Sequence, residues 1–223
     1  MGYAVLYSGG KDSSLALWKA QERGLEIDVL ISVFPERADS YMFHRPNIGL
    51  VPQLADSLGI DMITVKTCGE KELELNELVT VFNELDIDGV VTGAVASSYQ
   101  RQRVDKMCKA RGLVHFMPLW GMEQEDILKE LINNNFRCVI VAVAAMGLDD
   151  SWLGKELDKD TISELKSLEK RYKINVAGEG GEYESLVLGA PNYNWDFQIG
   201  EAKIEWDGQR GTLEVIELKK EEK

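Results

Sequence analysis

The run Tyr3-Ala4-Val5-Leu6-Tyr7, continued by Ser8-Gly9-Gly10-Lys11-Asp12-Ser13-Ser14 and then Leu15-Ala16-Leu17, limits the possible folds more than any other part of the chain. It reads as a buried strand, a tight loop and the start of a helix. Such a junction traps anions. Glycines let backbone amides approach a polyphosphate, the first helical turn leaves N–H groups without intrahelical partners, and serine hydroxyls add donors. Lys11 supplies a point charge for phosphate oxygens, and Asp12 a carboxylate for magnesium, which favours one or two carboxylates together with substrate phosphates. A Ser-Gly turn that merely caps a helix uses similar residues. The loop is neither a Walker A sequence, since Asp12 follows Lys11 and Val5 stands where the first glycine is required, nor Gly-x-Gly-x-x-Gly.

Short β-rich runs alternate with helical patterns over the first half: Tyr3 to Tyr7, Val29 to Phe34, Met62 to Lys66, Val90 to Ala94 and His115 to Leu119. That rhythm predicts an α/β fold, a parallel sheet flanked by helices. One helix ends near Gly24 and another runs from about Glu70 to Leu85. After Trp120 the pattern changes. A helix through Ile127, Leu128, Leu131 and Ile132 precedes a buried strand from Cys138 to Met146. A helix then starts at Thr161, where Thr161-x-x-Glu164 fits a capping box. Asp207-Gly208 joins Ala202 to Trp206 with Thr212 to Leu218 as a hairpin, and Lys219 to Lys223 is expected to fray. The reading divides the chain into residues 1–122, a nucleotide-binding domain, and 123–223, a smaller α+β substrate-binding domain.

Charge narrows the partners. The formal net charge of −13, from 38 acidic against 25 basic residues, repels a nucleic-acid backbone. No apolar run approaches the roughly 18 residues that cross a bilayer, and the N-terminus lacks a leader pattern, so a soluble, cytoplasmic protein is expected. Cys68, Cys108 and Cys138 form no Cys-x-x-Cys pair and read as buried thiols, without a disulfide framework or zinc site.

Two further stretches carry chemistry. Gly93-Ala94-Val95-Ala96-Ser97-Ser98-Tyr99-Gln100-Arg101-Gln102-Arg103-Val104 leaves a strand and enters a helix at the sheet edge where open α/β folds bind ligands. Gln100 and Arg103 there either face a nucleotide or decorate a solvated helix start. In Gly178-Glu179-Gly180-Gly181-Glu182-Tyr183-Glu184-Ser185, an extended backbone directs Glu182 and Glu184 to one face. Apolar residues on both sides, Ile174 and Val176 before and Leu186-Val187-Leu188 after, anchor this loop.

Ser8-Gly9-Gly10-Lys11-Asp12-Ser13 resembles the pyrophosphate loop of the N-type ATP pyrophosphatases, which adenylate a substrate and release pyrophosphate. With Tyr41-Met42-Phe43-His44-Arg45-Pro46-Asn47, Ser98-Tyr99-Gln100, Arg103, Pro118-Leu119-Trp120 and Gly178 to Glu184, nearly the whole chain is similar to the diphthine-ammonia ligase family. Ser185 stands where threonine is expected in many relatives. The chain looks like the short form, without the extra C-terminal domains of larger relatives.

The resemblance implies a Rossmann-like sheet of the adenine nucleotide alpha hydrolase type with helices on both faces. It implies ATP and Mg2+, with ammonium taken from solution and diphthine on translation elongation factor 2 as the carboxylate to be amidated. It places ATP on Ser8 to Ser14, Val33, Phe34, Gly93, Gln100 and Arg103. Catalysis falls to Lys11, Asp12, Glu182 and Glu184, and the metal to Asp12. Substrate contacts fall to His44, Asn47, Ser98, Tyr99, Gly180, Gly181, Glu182, Tyr183 and Glu184. The last loop either recognises the trimethylammonium group, through cation–π and charge attraction, or orients ammonia. His44 reads equally as a hydrogen-bonded loop residue, and His115 as structural. No nucleic acid or membrane partner is implied, and a homodimer is allowed but not required. The competing readings are a tRNA-modifying adenylating enzyme of the same fold and a non-catalytic adenine-nucleotide sensor.

Overall fold

A computed structural model of the chain describes residues 2–35, 47–67 and 73–223. His44, the rest of the Tyr41 to Pro46 segment, Cys68 and the first residues of the helix expected from Glu70 lie outside the described residues. Two compact units emerge, one comprising Met1–Ser8 with Asp12–Trp120, the other Gly9–Lys11 with Gly121–Lys223.

The first unit is built on a five-stranded parallel sheet of order β3-β2-β1-β4-β5. Its strands are β1 (Tyr3–Leu6), β2 (Ile27–Pro35), β3 (Met62–Thr67), β4 (Gly89–Val91) and β5 (Val114–Phe116). The helices are α1 (Lys11–Glu22), α2 (Val51–Leu58), α3 (Leu73–Glu84) and α4 (Ser98–Arg111). Strand alternation sorts the core. Ala4, Val29, Ile31, Val33, Val65 and Val90 pack on one face against Leu78 and Phe82 of α3 and Val104, Met107 and Cys108 of α4. The alternate residues Val5, Leu30 and Val91 are buried on the other face. Right-handed crossovers put α1 and α2 there, and the buried Leu15, Leu17, Val51 and Leu54 supply their apolar sides. Because the chain runs outward from β1 in both directions, the order reverses between β1 and β4. That switch point opens a crevice at the carboxyl ends of the strands.

The second unit holds an antiparallel sheet of order β7-β6-β9-β8. It comprises β6 (Arg137–Val143), β7 (Tyr183–Gly189), β8 (Asp196–Trp206) and β9 (Gly211–Glu221), with α5 (Gln124–Asn133) and α6 (Lys159–Tyr172). Three local expectations are corrected. The strand expected to reach Met146 ends at Val143, since the ladder to β7 stops at Val143 opposite Tyr183. The helix expected from Thr161 begins at Lys159, capped by Asp158, whose Oδ1 accepts from the Thr161 amide at 2.8 Å. The carboxylate also suits the positive end of the helix dipole, so it takes the cap and Thr161 is buried as the third helical residue. The terminal residues do not fray either. Lys219, Lys220 and Glu221 pair with Gln198, Phe197 and Asp196, and Lys223 Nζ donates to the Ala190 carbonyl at 2.6 Å.

Candidate active site

In the first unit, the phosphate-loop candidates Ser8, Asp12, Ser13 and Ser14 sit where β1 ends and α1 begins. Ser8 N–H donates to Ser13 Oγ at 3.2 Å, and the two hydroxyl oxygens lie 3.1 Å apart, so a serine pair closes the loop on itself. Ser14 turns inward. Its hydroxyl is buried and donates to the buried Tyr7 hydroxyl at 3.2 Å. Gly93 packs flat on the start of α1: a Cβ there would lie 2.6 Å from the Asp12 carbonyl carbon and 2.8 Å from Ser13 N. This close approach, not a positive φ, explains the glycine. It packs the end of β4 against the N-terminal end of α1.

The remaining first-unit candidates lie around the same sheet edge. The side chain of Val33 belongs to the core, which leaves its backbone for any adenine contact, while Phe34 is half-buried on the opposite face. Ser97 caps α4, its Oγ accepting from the Gln100 amide at 3.4 Å. Ser98 is exposed, whereas Tyr99 and Gln100 are half-buried. The guanidinium of Arg103 stacks 3.4 Å above the Tyr99 ring, so these two predicted contacts form one surface. Asn47 adopts φ +63° at the head of the 3-10 turn Ile48–Leu50.

In the second unit, Gly9, Gly10 and Lys11 run beside β7. Gly9 O accepts from the Val187 amide at 2.9 Å, and Lys11 N–H donates to Ser185 Oγ at 3.2 Å. The Lys11 ammonium lies 5.6 Å from the centre of the Tyr183 ring. Lys11 and Tyr183 are 4% and 2% exposed. The ring is fixed in turn, because its hydroxyl donates to the Val176 carbonyl at 3.0 Å. A buried ammonium is costly unless compensated, and an aromatic face returns about 0.5–2 kcal/mol.

The glycine-rich loop ahead of β7 is organised from within. The Glu182 carboxylate accepts from the Asn175 amide through Oε1 and the Gly180 amide through Oε2, both at 2.8 Å. Asn175 Oδ1 accepts from the amides of Ala177 at 3.0 Å and Glu179 at 3.2 Å. Gly178 has φ +75° and Gly181 φ +85°, backbone that side chains rarely adopt. Glu182 and Glu184 therefore differ in role: Glu182 folds back onto its own loop, while Glu184 is half-buried on β7 opposite Ala142. Sequence reasoning passed over Asn175 and gave Ser185 no task. The signal lay in an asparagine before a glycine-rich turn and a hydroxyl directly after the acidic loop.

His115 occupies a chain of polar groups on the first unit's sheet. Its Nδ1 lies 2.6 Å from Asp105 Oδ1 on α4, and its Nε2 lies 2.9 Å from Thr92 Oγ1. Burial holds the His115 pKa below its ordinary 6.5, outweighing the upward pull of Asp105. The hydrogen bond from His115 holds the Asp105 carboxyl below its ordinary range. At neutral pH the pair is an imidazole and a carboxylate. Between the folded pKa and 6.5, the unfolded chain binds a proton that the fold refuses, so stability falls as pH drops through that window. Urea unfolding at pH 7.5, 6.5 and 5.5 should show wild type losing up to about 1.4 kcal/mol per pH unit more than His115→Gln below pH 6.5. A constant difference between the two proteins would refute this. Nearby Cys108 is inert: burial first, and the Asp105 charge second, push its thiol up to about 11.

The fold and these loops define an α/β protein with a glycine-serine loop between the first strand and helix of a parallel sheet, and a second, antiparallel α+β unit. Residues 1–115 match the diphthamide synthase N-terminal domain and residues 123–221 the diphthamide synthase C-terminal domain. The chain belongs to the diphthamide synthase family. A Bos taurus protein named diphthine–ammonia ligase is 34% identical over 227 residues, covering 92% of this chain and 85% of the relative. The human protein of that name gives the same identity and coverage. A solved structure described as a predicted subunit of tRNA methyltransferase from Methanocaldococcus jannaschii superposes with a TM-score of 0.48 at 16% identity, over 86% of this chain and 98% of that one.

Proposed function

We propose that this protein is a ligase that amidates diphthine on translation elongation factor 2, using ATP and free ammonia. One observation carries most of the reading: Gly9 and Lys11 of the phosphate loop are hydrogen-bonded to Val187 and Ser185 of β7. That strand grows directly out of the Gly178 to Glu182 loop. Gly9 and Lys11, two of the residues assigned to the departing pyrophosphate, are thereby tied to the strand that follows the loop assigned to the substrate's charged groups.

The substrate carboxylate attacks the α-phosphorus of ATP, the bond to the bridging oxygen breaks, and pyrophosphate leaves. Ammonia then adds to the acyl-adenylate carbon, loses a proton, and AMP departs with the former carboxylate oxygen. Lys11 and the first turn of α1 stabilise charge growing on the pyrophosphate. Glu184 is assigned to the trimethylammonium or to ammonia, while the Tyr183 ring backs the Lys11 ammonium. Glu182 acts by shaping the loop. Among the described residues no group of three or more His, Cys, Asp or Glu converges on a metal-sized space. Mg2+ held mainly by phosphates needs only one or two carboxylates, which Asp12 in the first turn of α1 fits. When bound, it neutralises phosphate charge.

The test supplies diphthine-bearing elongation factor 2, ATP and ammonium to the purified protein. AMP, pyrophosphate and amide should appear together and only when all three are present. AMP formed with tRNA in place of the factor would overturn the proposal, as would ATP bound and returned intact.

A further inference from the structure

Thr92 is the first residue beyond β4. Its amide donates to the Phe116 carbonyl at 3.1 Å, so the parallel ladder carries it to the rim of the switch-point crevice, next to the Gly93 that packs on α1. Its side chain shares the face of Val90, toward α4. There it meets His115, whose side chain is 5% exposed. A carboxylate only accepts hydrogen bonds, so Asp105 fixes the imidazole with its proton on Nδ1. Nε2 then carries a lone pair, and the Thr92 hydroxyl must donate to it. The consequence is directional. Thr92 is 6% exposed, and with its one proton committed to His115, Oγ1 has only lone pairs left for a further partner. Burying the Thr92 hydroxyl and the His115 ring has a cost that an apolar pair in the same space would avoid.

We propose that Thr92 accepts a hydrogen bond from the nucleoside part of ATP, a ribose hydroxyl or the adenine amine, and that His115 and Asp105 are positioning residues that keep it an acceptor. The inference rests on the ATP-binding reading above. It makes Thr92 a nucleoside-reading residue separate from the phosphate loop.

Calorimetric titration with ATP, 2′-deoxy-ATP, 3′-deoxy-ATP and purine riboside triphosphate tests it, the three analogues each lacking one candidate donor. Wild type should bind one analogue about 5- to 10-fold more weakly than ATP, and that analogue identifies the donor. Thr92→Val should bind ATP weaker by a similar factor and lose discrimination against that analogue alone. Thr92→Ser should keep it.

Asp105→Asn separates direction from packing. Arg101 Nε lies 3.4 Å from Asp105 Oδ2 and, as a donor, keeps the new amide's oxygen on its own side. The amide nitrogen then faces His115 Nδ1, the ring proton moves to Nε2, and Thr92 becomes a donor toward the crevice. One Thr92 lone pair is then taken by Nε2–H and its proton competes for the ligand, so Asp105→Asn should weaken the discrimination while Thr92 is intact, and it carries the test if Thr92→Val fails to fold. Unchanged discrimination in both variants, or equal weakening toward all four nucleotides, overturns the proposal. Failure of wild type to bind ATP would overturn the nucleotide reading first.

Discussion

Glu182→Ala is expected to slow amidation about 100-fold or more while ATP affinity changes less than about threefold. The carboxylate does not need to touch substrate to have this effect. Its two oxygens hold the amides of Asn175 and Gly180, and hydrogen bonds to a charged acceptor contribute about 1.5–3 kcal/mol each. With the side chain gone, both amides lose their partner. The backbone at Gly178 and Gly181, already at positive φ, relaxes away from its present path. A displacement of about 1 Å in a positioning element can cost a factor of about 100 in rate. Glu182→Gln should fall between: its amide oxygen satisfies one N–H, but its amide nitrogen confronts the other. The measurement is the single-turnover amidation rate beside the calorimetric ATP affinity. Equal losses in both would mean the whole unit is disturbed, and an alanine variant at wild-type rate would refute the scaffold role.

Period and junction chemistry made the first unit legible. β1, β2 and β3 are close to those read from β-branched runs, because strands covered on both faces are apolar along their length, whereas β4 and β5 end at Val91 and Phe116, short of the expected Ala94 and Leu119. The loop's position was legible because its glycines and serines separate a β-rich run from a helical one, and Ser8 to Gly10 do lie between β1 and α1. Boundaries in the second unit were less so, since an antiparallel ladder ends where its partner ends. The neighbour that stops β6 at Val143 is 40 residues distant in sequence, at Tyr183.

The site residues divide in the same way. Lys11, Asp12 and the serines announce themselves by type, whereas Ser185 matters through a contact made across 174 positions. Thr92, Asp105 and His115 come from β4's end, α4 and β5, and no local spacing joins them. Glu182 is the instructive case. Its residue type and place in the loop suggested a substrate contact, but both its oxygens turn back to the loop's own backbone.

Lys11→Ala is expected to lower the rate of acyl-adenylate formation by about 100- to 1,000-fold, the range for removing one preorganised donor to a charge that grows in the transition state. How Lys11 is held indicates which substitutions can rescue it. Its ammonium faces the Tyr183 ring, and its backbone amide is tied to Ser185, so β7 sets both the origin and the direction of the side chain. Lys11→Arg should not restore the rate, because a planar fork is no substitute for a compact point charge in a space that leaves Lys11 4% exposed. Tyr183→Phe keeps the ring and loses the bond to the Val176 carbonyl, so it should retain most activity. Tyr183→Leu removes the aromatic face and should weaken pyrophosphate binding about three- to tenfold without changing the affinity for AMP. The contrast between the two product affinities is the informative reading. If Tyr183→Leu weakened AMP as much as pyrophosphate, the ring would be acting on the unit's packing and not on the ammonium. If neither affinity moved, the strand would have no part in placing the charge that the leaving group meets.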